Sequence, residues 1–211
     1  MDRPTVRFGR GLEGRASASI QWMHSLDRTA CAGGCFAIPD DVLRLAVSAD
    51  VAGAAGDYRL VSHTTAAAAG AAGGPVPPQS LVFFGGPVSA PGYELHRLVG
   101  ARGLSERLEL QLPVPFVAVT LGRFSRTPAR ATLAPYVNVV VLDSPPPGGC
   151  EFGCSPGPAS VFTRSSPVFP SAGVGVLSLF DLVRLDIARG LGDRGWWMLS
   201  IDVTRDIWGI L

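Results

Sequence analysis

Four cysteines have the spacing that is most suggestive of chemistry in this chain, because they occur as two C-x-x-x-C pairs. The first pair, C-A-G-G-C, contains Cys31 and Cys35, and the second, C-E-F-G-C, contains Cys150 and Cys154. Four thiolates can bind zinc, but structural zinc sites usually have C-x-x-C spacing, and the Gly- and Pro-rich surroundings provide no rigid tetrahedral frame. We therefore predict no zinc site. Disulfides and reduced structural thiols are the alternatives, and the even number of cysteines favours an oxidising compartment.

The histidines and carboxylates do not form a catalytic pattern. His24, His63 and His96 are far apart in the sequence, and none lies in an H-x-x-x-H or H-E-x-x-H frame. Asp40 and Asp41 follow a proline, and Pro-Asp-Asp before an apolar run is ordinary turn chemistry. A cysteine enzyme would need a base such as His63 or His96 beside a thiol of depressed pKa, and the sequence indicates no such pair. We predict no enzymatic activity and no cofactor.

The composition argues against several classes of partner. The chain has 211 residues, of which 47% are hydrophobic and 17% charged, with a formal net charge of +1 and no lysine. Such a near-neutral chain is not suited to coating phosphate backbones, and the basic and aromatic stretch L-G-R-F-S-R at 121–126 is isolated. No run approaches the roughly 18 to 20 uninterrupted apolar residues of a membrane-spanning helix. We predict a soluble chain without a nucleic-acid or small-molecule partner.

The elements that must position these residues are strands. Short apolar runs separated by Gly, Pro, Asp and Ser predict an all-β chain. Strands are expected at 19–23, 42–51, 58–63, 80–84, 107–112, 116–121, 136–142, 174–179, 182–187 and 197–203, and at the carboxyl end. R-L-E-L-Q-L and L-V-R-L-D-I alternate polar and apolar residues, which is typical of strands with one wet face. Y-V-N-V-V-V-L is apolar almost throughout, which indicates a strand covered on both sides or one whose outer face meets another subunit.

The sequence also predicts how the chain is divided. Residues 1–18 are rich in Arg and Gly without sustained periodicity, and we expect a flexible arm there. Residues 19–211 are expected to form one domain. Within that domain, the Ala-, Gly- and Pro-rich segments at 64–79 and 143–158 are expected to be loops.

Five stretches resemble, in the same order along the chain, the ligands of the tumour necrosis factor superfamily. They are I-Q-W at 20–22, C-F-A-I-P-D-D-V-L-R-L-A-V-S-A-D-V at 35–51, Y-V-N-V-V-V-L-D-S-P-P-P-G-G-C at 136–150, the two strands within 164–187, and the terminal I-W-G-I-L. In that family the last strand ends on an aromatic residue and a Gly followed by small or apolar residues, and the end of this chain is similar. Compared with the family, the stretch from about 52 to 113 is an insertion.

The resemblance implies a fold and a function. The fold would be a jelly-roll β-sandwich of two antiparallel sheets, assembled as a homotrimer. The function would be that of a cytokine-like signalling ligand of a TNF-receptor-family ectodomain. Such a ligand is extracellular, either secreted or the ectodomain of a membrane-anchored precursor. The alternative is a structural jelly-roll protein, such as a viral capsid or fibre head or a complement-type globular head, because these share the architecture.

The resemblance also gives roles to individual residues. Three residues at the carboxyl end would lie at the threefold axis of the trimer: Trp208, Ile210 and Leu211. Three residues in or beside the receptor-facing loop would contact the receptor: Arg126, Arg130 and Tyr136. Cys150 matches a loop cysteine that members of the family often join to a neighbouring loop by a disulfide.

Overall fold

The structure is a computed structural model that describes residues 5–7, 11–24, 40–73, 76–118, 120–121, 125–126, 129–143, 168–179 and 181–203. Its strands are β1 (Thr5–Arg7), β2 (Leu12–His24), β3 (Asp41–Ala55), β4 (Tyr58–Ala72), β5 (Val82–Phe84), β6 (Leu98–Gly100), β7 (Arg102–Pro115), β8 (Thr120–Leu121), β9 (Ser125–Arg126), β10 (Arg130–Leu142), β11 (Val168–Ser178), β12 (Val183–Gly190) and β13 (Trp197–Val203). A 3-10 turn at Pro78–Ser80 and a one-turn helix, α1 (Gly86–Ser89), are the helical pieces in these ranges. The all-β prediction is confirmed.

Nine of the strands form one antiparallel sheet in the order β1-β2-β3-β4-β7-β10-β11-β12-β13. When only the strands of this sheet are counted, each one therefore pairs with the strand that follows it in the chain. A jelly roll instead contains long connections that return a strand beside an earlier one, and the strands that the structure describes in this sheet show no such return. In the same ranges, no helix is long and apolar enough to cross a bilayer.

Two segments that the sequence placed outside the strands belong to the sheet. Residues 12–18, expected in the flexible arm, are part of β2 and pair with residues 47–53 of β3. Residues 64–72, expected in a loop, continue β4 and pair with residues 41–49 of β3. Both segments carry Ala and Gly where other strands carry Leu and Val, so their alternation is weak in the sequence although their backbone pairing is complete.

The stretch expected as an insertion, about 52 to 113, supplies two long strands of the middle of the sheet, β4 and β7. Between these strands, residues 76–101 form a compact segment that contains β5, α1 and β6, which we call the cap. The cap packs against one side of the sheet through an apolar cluster. The members of the cluster are Val82, Phe84, Ala90, Tyr93 and Leu98 of the cap with Val140 and Leu142 of β10.

The sheet has two faces, which the alternation along β7 defines. The inner face carries Ser105, Arg107 and Glu109, which are all buried. The cap covers this face. The outer face carries Leu108 and Leu110, which are exposed. Because register partners share a face, each residue of the neighbouring strands is assigned to one face by its pairing.

The two ends of the sheet differ in their connections. At one end, which we call the loop end, the strands are joined by residues 25–40, 73–101, 143–167 and 191–196. At the opposite end, which we call the turn end, β3 and β4 are joined by residues 56–57, β7 and β10 by residues 116–129, and β11 and β12 by residues 179–182. The cap therefore belongs to the loop end.

Candidate functional site

The inner face contains a cluster of four charged side chains, Arg107 and Glu109 of β7 with Arg184 and Asp186 of β12, which we call the charged cluster. Arg184 binds Glu109 through two hydrogen bonds, Nη1 to Oε1 at 3.0 Å and Nη2 to Oε2 at 2.7 Å. The same guanidinium donates to Asp186, with Nε 2.6 Å from Oδ2. Arg107 Nη2 lies 3.0 Å from Glu109 Oε2 and 3.4 Å from Asp186 Oδ1. Each carboxylate thus contacts both guanidinium groups, and the cluster has no net charge.

The charged cluster requires a strongly curved sheet. Two strands, β10 and β11, lie between β7 and β12, so the distance along a flat sheet would be about 14 Å at roughly 4.8 Å per strand. Side chains from β7 and β12 can meet only because the sheet curls around them. Two glycines of β11 leave the space they need. A Cβ atom on Gly173 would lie 2.5 Å from Tyr136 Cζ, and one on Gly175 would lie 2.7 Å from Asp186 Oδ1.

Tyr136 forms one wall of the charged cluster. Its ring lies under the guanidinium of Arg107, with Cζ 3.6 Å from the ring centroid, which is a cation–π contact. Only 4% of Tyr136 is exposed. Tyr136, which the resemblance assigned to the receptor contact, lies in the middle of β10 on the buried inner face. Arg130 begins β10 and is exposed, and Arg126 lies in β9 with its side chain outside the described residues.

A separate set of hydrogen bonds lies between the charged cluster and the cap. Asn138 Nδ2 donates to Ser105 Oγ at 3.1 Å, and Ser171 Oγ lies 3.5 Å from Asn138 Oδ1. Ser105 Oγ in turn donates to the backbone oxygen of Ser89 in the cap at 2.6 Å. Among the buried side-chain atoms of the described ranges, only Ser80 Oγ and Arg107 Nε lack a hydrogen-bond partner. The buried polar side chains described on the inner face are therefore nearly all hydrogen-bonded.

The carboxylates of the charged cluster and two of the three histidines each have a polar partner. Both carboxylates of the charged cluster are held by arginines, which leaves neither one poised as a general base. Within the described residues no three His, Cys, Asp or Glu side chains are grouped as a metal site would need. His24 Nδ1 lies 2.8 Å from Asp41 Oδ1, and His63 Nδ1 lies 2.8 Å from Asp50 Oδ1, both near the surface. The histidines therefore make local pairs at separate places.

Several predicted site residues lie outside the described residues. They are the four cysteines, Cys31, Cys35, Cys150 and Cys154, and the trimer residues, Trp208, Ile210 and Leu211. The expectations of no zinc, of disulfides or reduced thiols, and of a terminal strand at a threefold axis stay predictions.

The outer face of the sheet is apolar and exposed. Each of eight strands contributes at least one large apolar residue that is more than 36% exposed: Ile20, Leu45, Leu60, Leu108, Val139, Val168, Leu185 and Ile201. A charged group also lies within this face. The carboxylate of Glu106 accepts hydrogen bonds from the hydroxyls of Ser62, at 2.6 Å, and Thr64. Its oxygens are thereby satisfied by neighbouring strand residues.

Sequence reasoning missed the charged cluster because it assigned the polar side of two strands to water. R-L-E-L-Q-L contains Arg107 and Glu109, and L-V-R-L-D-I contains Arg184 and Asp186. The alternation was correctly identified, but the side taken to be wet is the buried one. The signal that distinguishes the two cases is complementarity, since each strand carries Arg and an acidic residue two positions apart. The two strands can therefore neutralise each other.

Comparison with known proteins gives no family to which the chain can be assigned. A scan against models of protein families finds no match to this sequence. A search of curated proteins likewise finds no significant relative. The function must therefore be argued from the two faces of the sheet.

Proposed function

We propose that this chain is a membrane-embedded protein without catalytic activity, and that the outer face of its sheet contacts the acyl chains of lipids. The observation that supports this proposal is the polarity of the two faces. Charged residues are buried on the inner face, while Leu, Val and Ile are exposed on the outer face. A chain folded in water has the opposite arrangement, because each large apolar side chain moved out of water stabilises the fold by about 1.5 to 3 kcal/mol.

Lipid fits this face better than a protein partner does. Protein interfaces are limited patches of about 20 to 30 residues on each side, with a polar rim. Here the exposed apolar residues continue from β2, next to one edge of the sheet, to β13 at the other edge. The sheet is curved with this face outward, so a single globular partner would contact only part of it. A continuous hydrocarbon phase contacts all of it.

The lipid proposal replaces the expectation of a soluble chain. That expectation depended on the lack of a long uninterrupted apolar run. The outer face is built from every second residue of its strands, with inner-face residues between them, and a search for continuous runs does not detect such a surface. The trimeric receptor ligand and the structural jelly-roll protein stay predictions from the sequence resemblance.

Flotation with lipid vesicles tests the proposal. The full chain would be refolded in the presence of phosphatidylcholine vesicles and centrifuged through a density gradient. We expect the protein to float with the vesicles and to need detergent for recovery. A wild-type chain that stays at the bottom of the gradient and remains monodisperse in detergent-free buffer would contradict the proposal.

A matched pair of variants on β13 connects the result to the outer face. Leu199 is 68% exposed on the outer face, and Ser200 is its neighbour on the inner face. Leu199→Arg would place a charge in the hydrocarbon at a cost of about 2 kcal/mol or more. We therefore expect a severalfold smaller floating fraction for Leu199→Arg than for Ser200→Arg. Equal flotation of the two variants would show that the outer face is not the lipid-binding surface.

A further inference from the structure

The dimensions of the outer face support a further proposal about how the sheet lies in the membrane, and this proposal rests on the proposed lipid contact. We propose that the sheet crosses the whole hydrocarbon layer, with the loop end at one membrane surface and the turn end at the other. The alternative is a sheet that lies along one surface. Three features of the described residues favour crossing: the length of the apolar band, the position of the aromatic residues and the pairing of the backbone.

The apolar band is as long as a membrane is thick. On β3 the outer-face positions run from Leu43 to Ala55 and carry only Leu, Val, Ala and Gly. At roughly 3.4 Å per residue this segment is about 40 Å long, and at a tilt of about 45° it covers about 28 Å. The hydrocarbon core of a bilayer is about 30 Å thick. A curled sheet lying on one surface would immerse only the part of its outer face that reaches about 5 to 10 Å below that surface, and the rest of the band would stay in water.

Exposed aromatic residues lie at both ends of the apolar band. Trp22 of β2 and Trp197 of β13 lie at the loop end, on strands near opposite edges of the sheet. Tyr58 begins β4 at the turn end. Tryptophan and tyrosine concentrate at membrane–water interfaces because their rings are apolar and their N–H or O–H groups are polar.

Polar partners accompany the loop-end aromatics, as expected at an interface. Trp22 Nε1 donates to Asp41 Oδ1 at 3.1 Å. Arg189 lies with its guanidinium carbon 5.3 Å from the ring of Trp197. Between the two ends, exposed outer-face residues of these strands are aliphatic, such as Ile20 on β2 and Leu199 on β13.

The backbone pairing of the middle of the sheet suits a hydrocarbon environment. Unpaired N–H and C=O groups cost several kcal/mol each in lipid, so every strand must be paired on both sides. Strands β3 to β12 of the nine-stranded sheet each have a neighbour on both sides, whereas the short β1 pairs only with residues 13–15 of β2. In the described sheet, the rest of that side of β2 and the outer side of β13 are where a further strand must pair once the sheet is in lipid.

Labelling from one side of the membrane distinguishes a sheet that crosses the hydrocarbon layer from a sheet that lies along one surface. Asp57 lies in the turn between β3 and β4 at the turn end, and Asp193 lies in the connection between β12 and β13 at the loop end; both are exposed. Asp57→Cys and Asp193→Cys would be made separately in a background in which the four native cysteines are replaced by serine. Each protein would be inserted into sealed vesicles and treated with a membrane-impermeant maleimide, before and after lysis with detergent.

A crossing sheet exposes only one of the two positions on the outside of a given vesicle. The fraction of Asp57→Cys that is labelled before lysis and the fraction of Asp193→Cys that is labelled before lysis should therefore add to one. This holds whether the protein inserts in one direction or in both. Complete labelling of both positions before lysis would overturn the crossing proposal while leaving lipid contact intact. Failure of both proteins to float with vesicles would instead overturn the lipid proposal itself, so the two failures are distinguishable.

Depth measurements give a second test that does not depend on sealed vesicles. In a background in which all native tryptophans are replaced by phenylalanine, Val47→Trp reports the middle of the band and Tyr58→Trp reports the turn end. Lipids brominated deep in the acyl chain should quench Val47→Trp more strongly than Tyr58→Trp, and lipids brominated near the headgroup should reverse this order. Equal quenching of both positions at every depth would contradict a sheet that crosses the layer.

Discussion

The two faces of β7 place opposite kinds of residue in opposite environments, one position apart. Arg107 and Glu109 are 9% and 1% exposed, whereas Leu108 and Leu110 are 46% and 40% exposed. On the inner face, burial depends on pairing, because each charge is neutralised and hydrogen-bonded. On the outer face, exposure is tolerable because the surrounding medium is taken to be hydrocarbon. The comparison shows that burial alone does not identify an apolar core in this protein.

The inner face itself changes character along its length. Near the loop end it packs apolar residues of β10 against the cap, and in its middle it holds the charged cluster. The apolar part can tolerate modest changes of shape, since its members need only contact. The charged part needs every partner, because a lone charge in a buried place is strongly unfavourable. Substitutions in the apolar part and in the charged part should therefore differ in their effect on the free energy of unfolding.

The largest effect is expected when one partner of the charged cluster loses its charge. Glu109→Gln would leave the guanidinium groups of Arg107 and Arg184 facing a single remaining carboxylate in a buried site. We expect the free energy of unfolding to fall by about 3 to 5 kcal/mol. The measurement is urea unfolding in detergent micelles, followed by circular dichroism.

The matched control for Glu109 is Glu106, three residues away on the outer face. Glu106→Gln keeps an oxygen that can accept from Ser62 or Thr64 and removes a charge from the face that is proposed to contact lipid, so we expect no loss of stability. If the two substitutions had equal effects, the two faces would not differ in the way described, and the charged cluster would not be a stabilising network.

A smaller loss is expected from filling the space beside Tyr136. Gly173→Ala would bring a methyl group to 2.5 Å from Tyr136 Cζ, and backbone and ring must shift to relieve the contact. We expect a loss of about 1 to 3 kcal/mol in the same unfolding experiment. Gly70→Ala on the outer face of β4 is the control, because no heavy atom lies within 4 Å of the added carbon. Gly70→Ala should be neutral or slightly stabilising, and equal losses at both sites would contradict a tightly filled inner face.

The smallest effect is expected at the attachment of the cap. Tyr93 Oη donates to the backbone oxygen of Pro170 at 2.9 Å and accepts from the N–H of Gly192 at 2.9 Å. Tyr93→Phe removes both hydrogen bonds but keeps the ring against Phe169. We expect a loss of about 1 to 2 kcal/mol at neutral pH.

The same residue gives the cap a pH dependence. Burial raises the pKa of the Tyr93 hydroxyl above its usual range, although the hydrogen bond from Gly192 opposes the rise. The folded state therefore favours the protonated phenol. Its contribution is complete below the unfolded value of about 10 and is lost as the pH rises toward the folded pKa. Stability of the wild type should fall more steeply above pH 10 than that of Tyr93→Phe, and parallel curves would show that Tyr93 does not titrate with unfolding.

The fold class was predictable because most strands carry a clear alternation or a continuous apolar run. The strand at 197–203 was predicted with both ends correct. The second half of β4 was missed because T-T-A-A-A-A-G-A-A has nearly the same small side chains on both faces, so its pairing depends on β3 and β7 rather than on its own pattern.

The candidate site was less predictable than the fold, for physical reasons. An alternating strand has the same sequence pattern whether its polar face meets water or a second polar strand. Arg107 and Arg184 lie far apart in the sequence, and only the curl of four strands brings them to the same carboxylate. Likewise, Y-V-N-V-V-V-L was expected to be covered on both sides or to have an outer face that meets another subunit. The structure buries Asn138 and Val140 and leaves Val137 and Val139 exposed, so the described part of this chain covers only one side of the strand.

The long sequence separation within the charged cluster sets an order of events during folding. Glu109 and Arg184 are 75 residues apart, and Arg107 and Asp186 are 79 apart. The hairpins β2–β3, β3–β4, β11–β12 and β12–β13 join neighbours along the chain, so they close smaller loops and can form first. The ion pairs between β7 and β12 then form last, when the sheet curls and brings these two strands together. Interactions that form after the transition state affect mainly the unfolding rate. We therefore expect substitutions in the charged cluster to change the unfolding rate more than the folding rate.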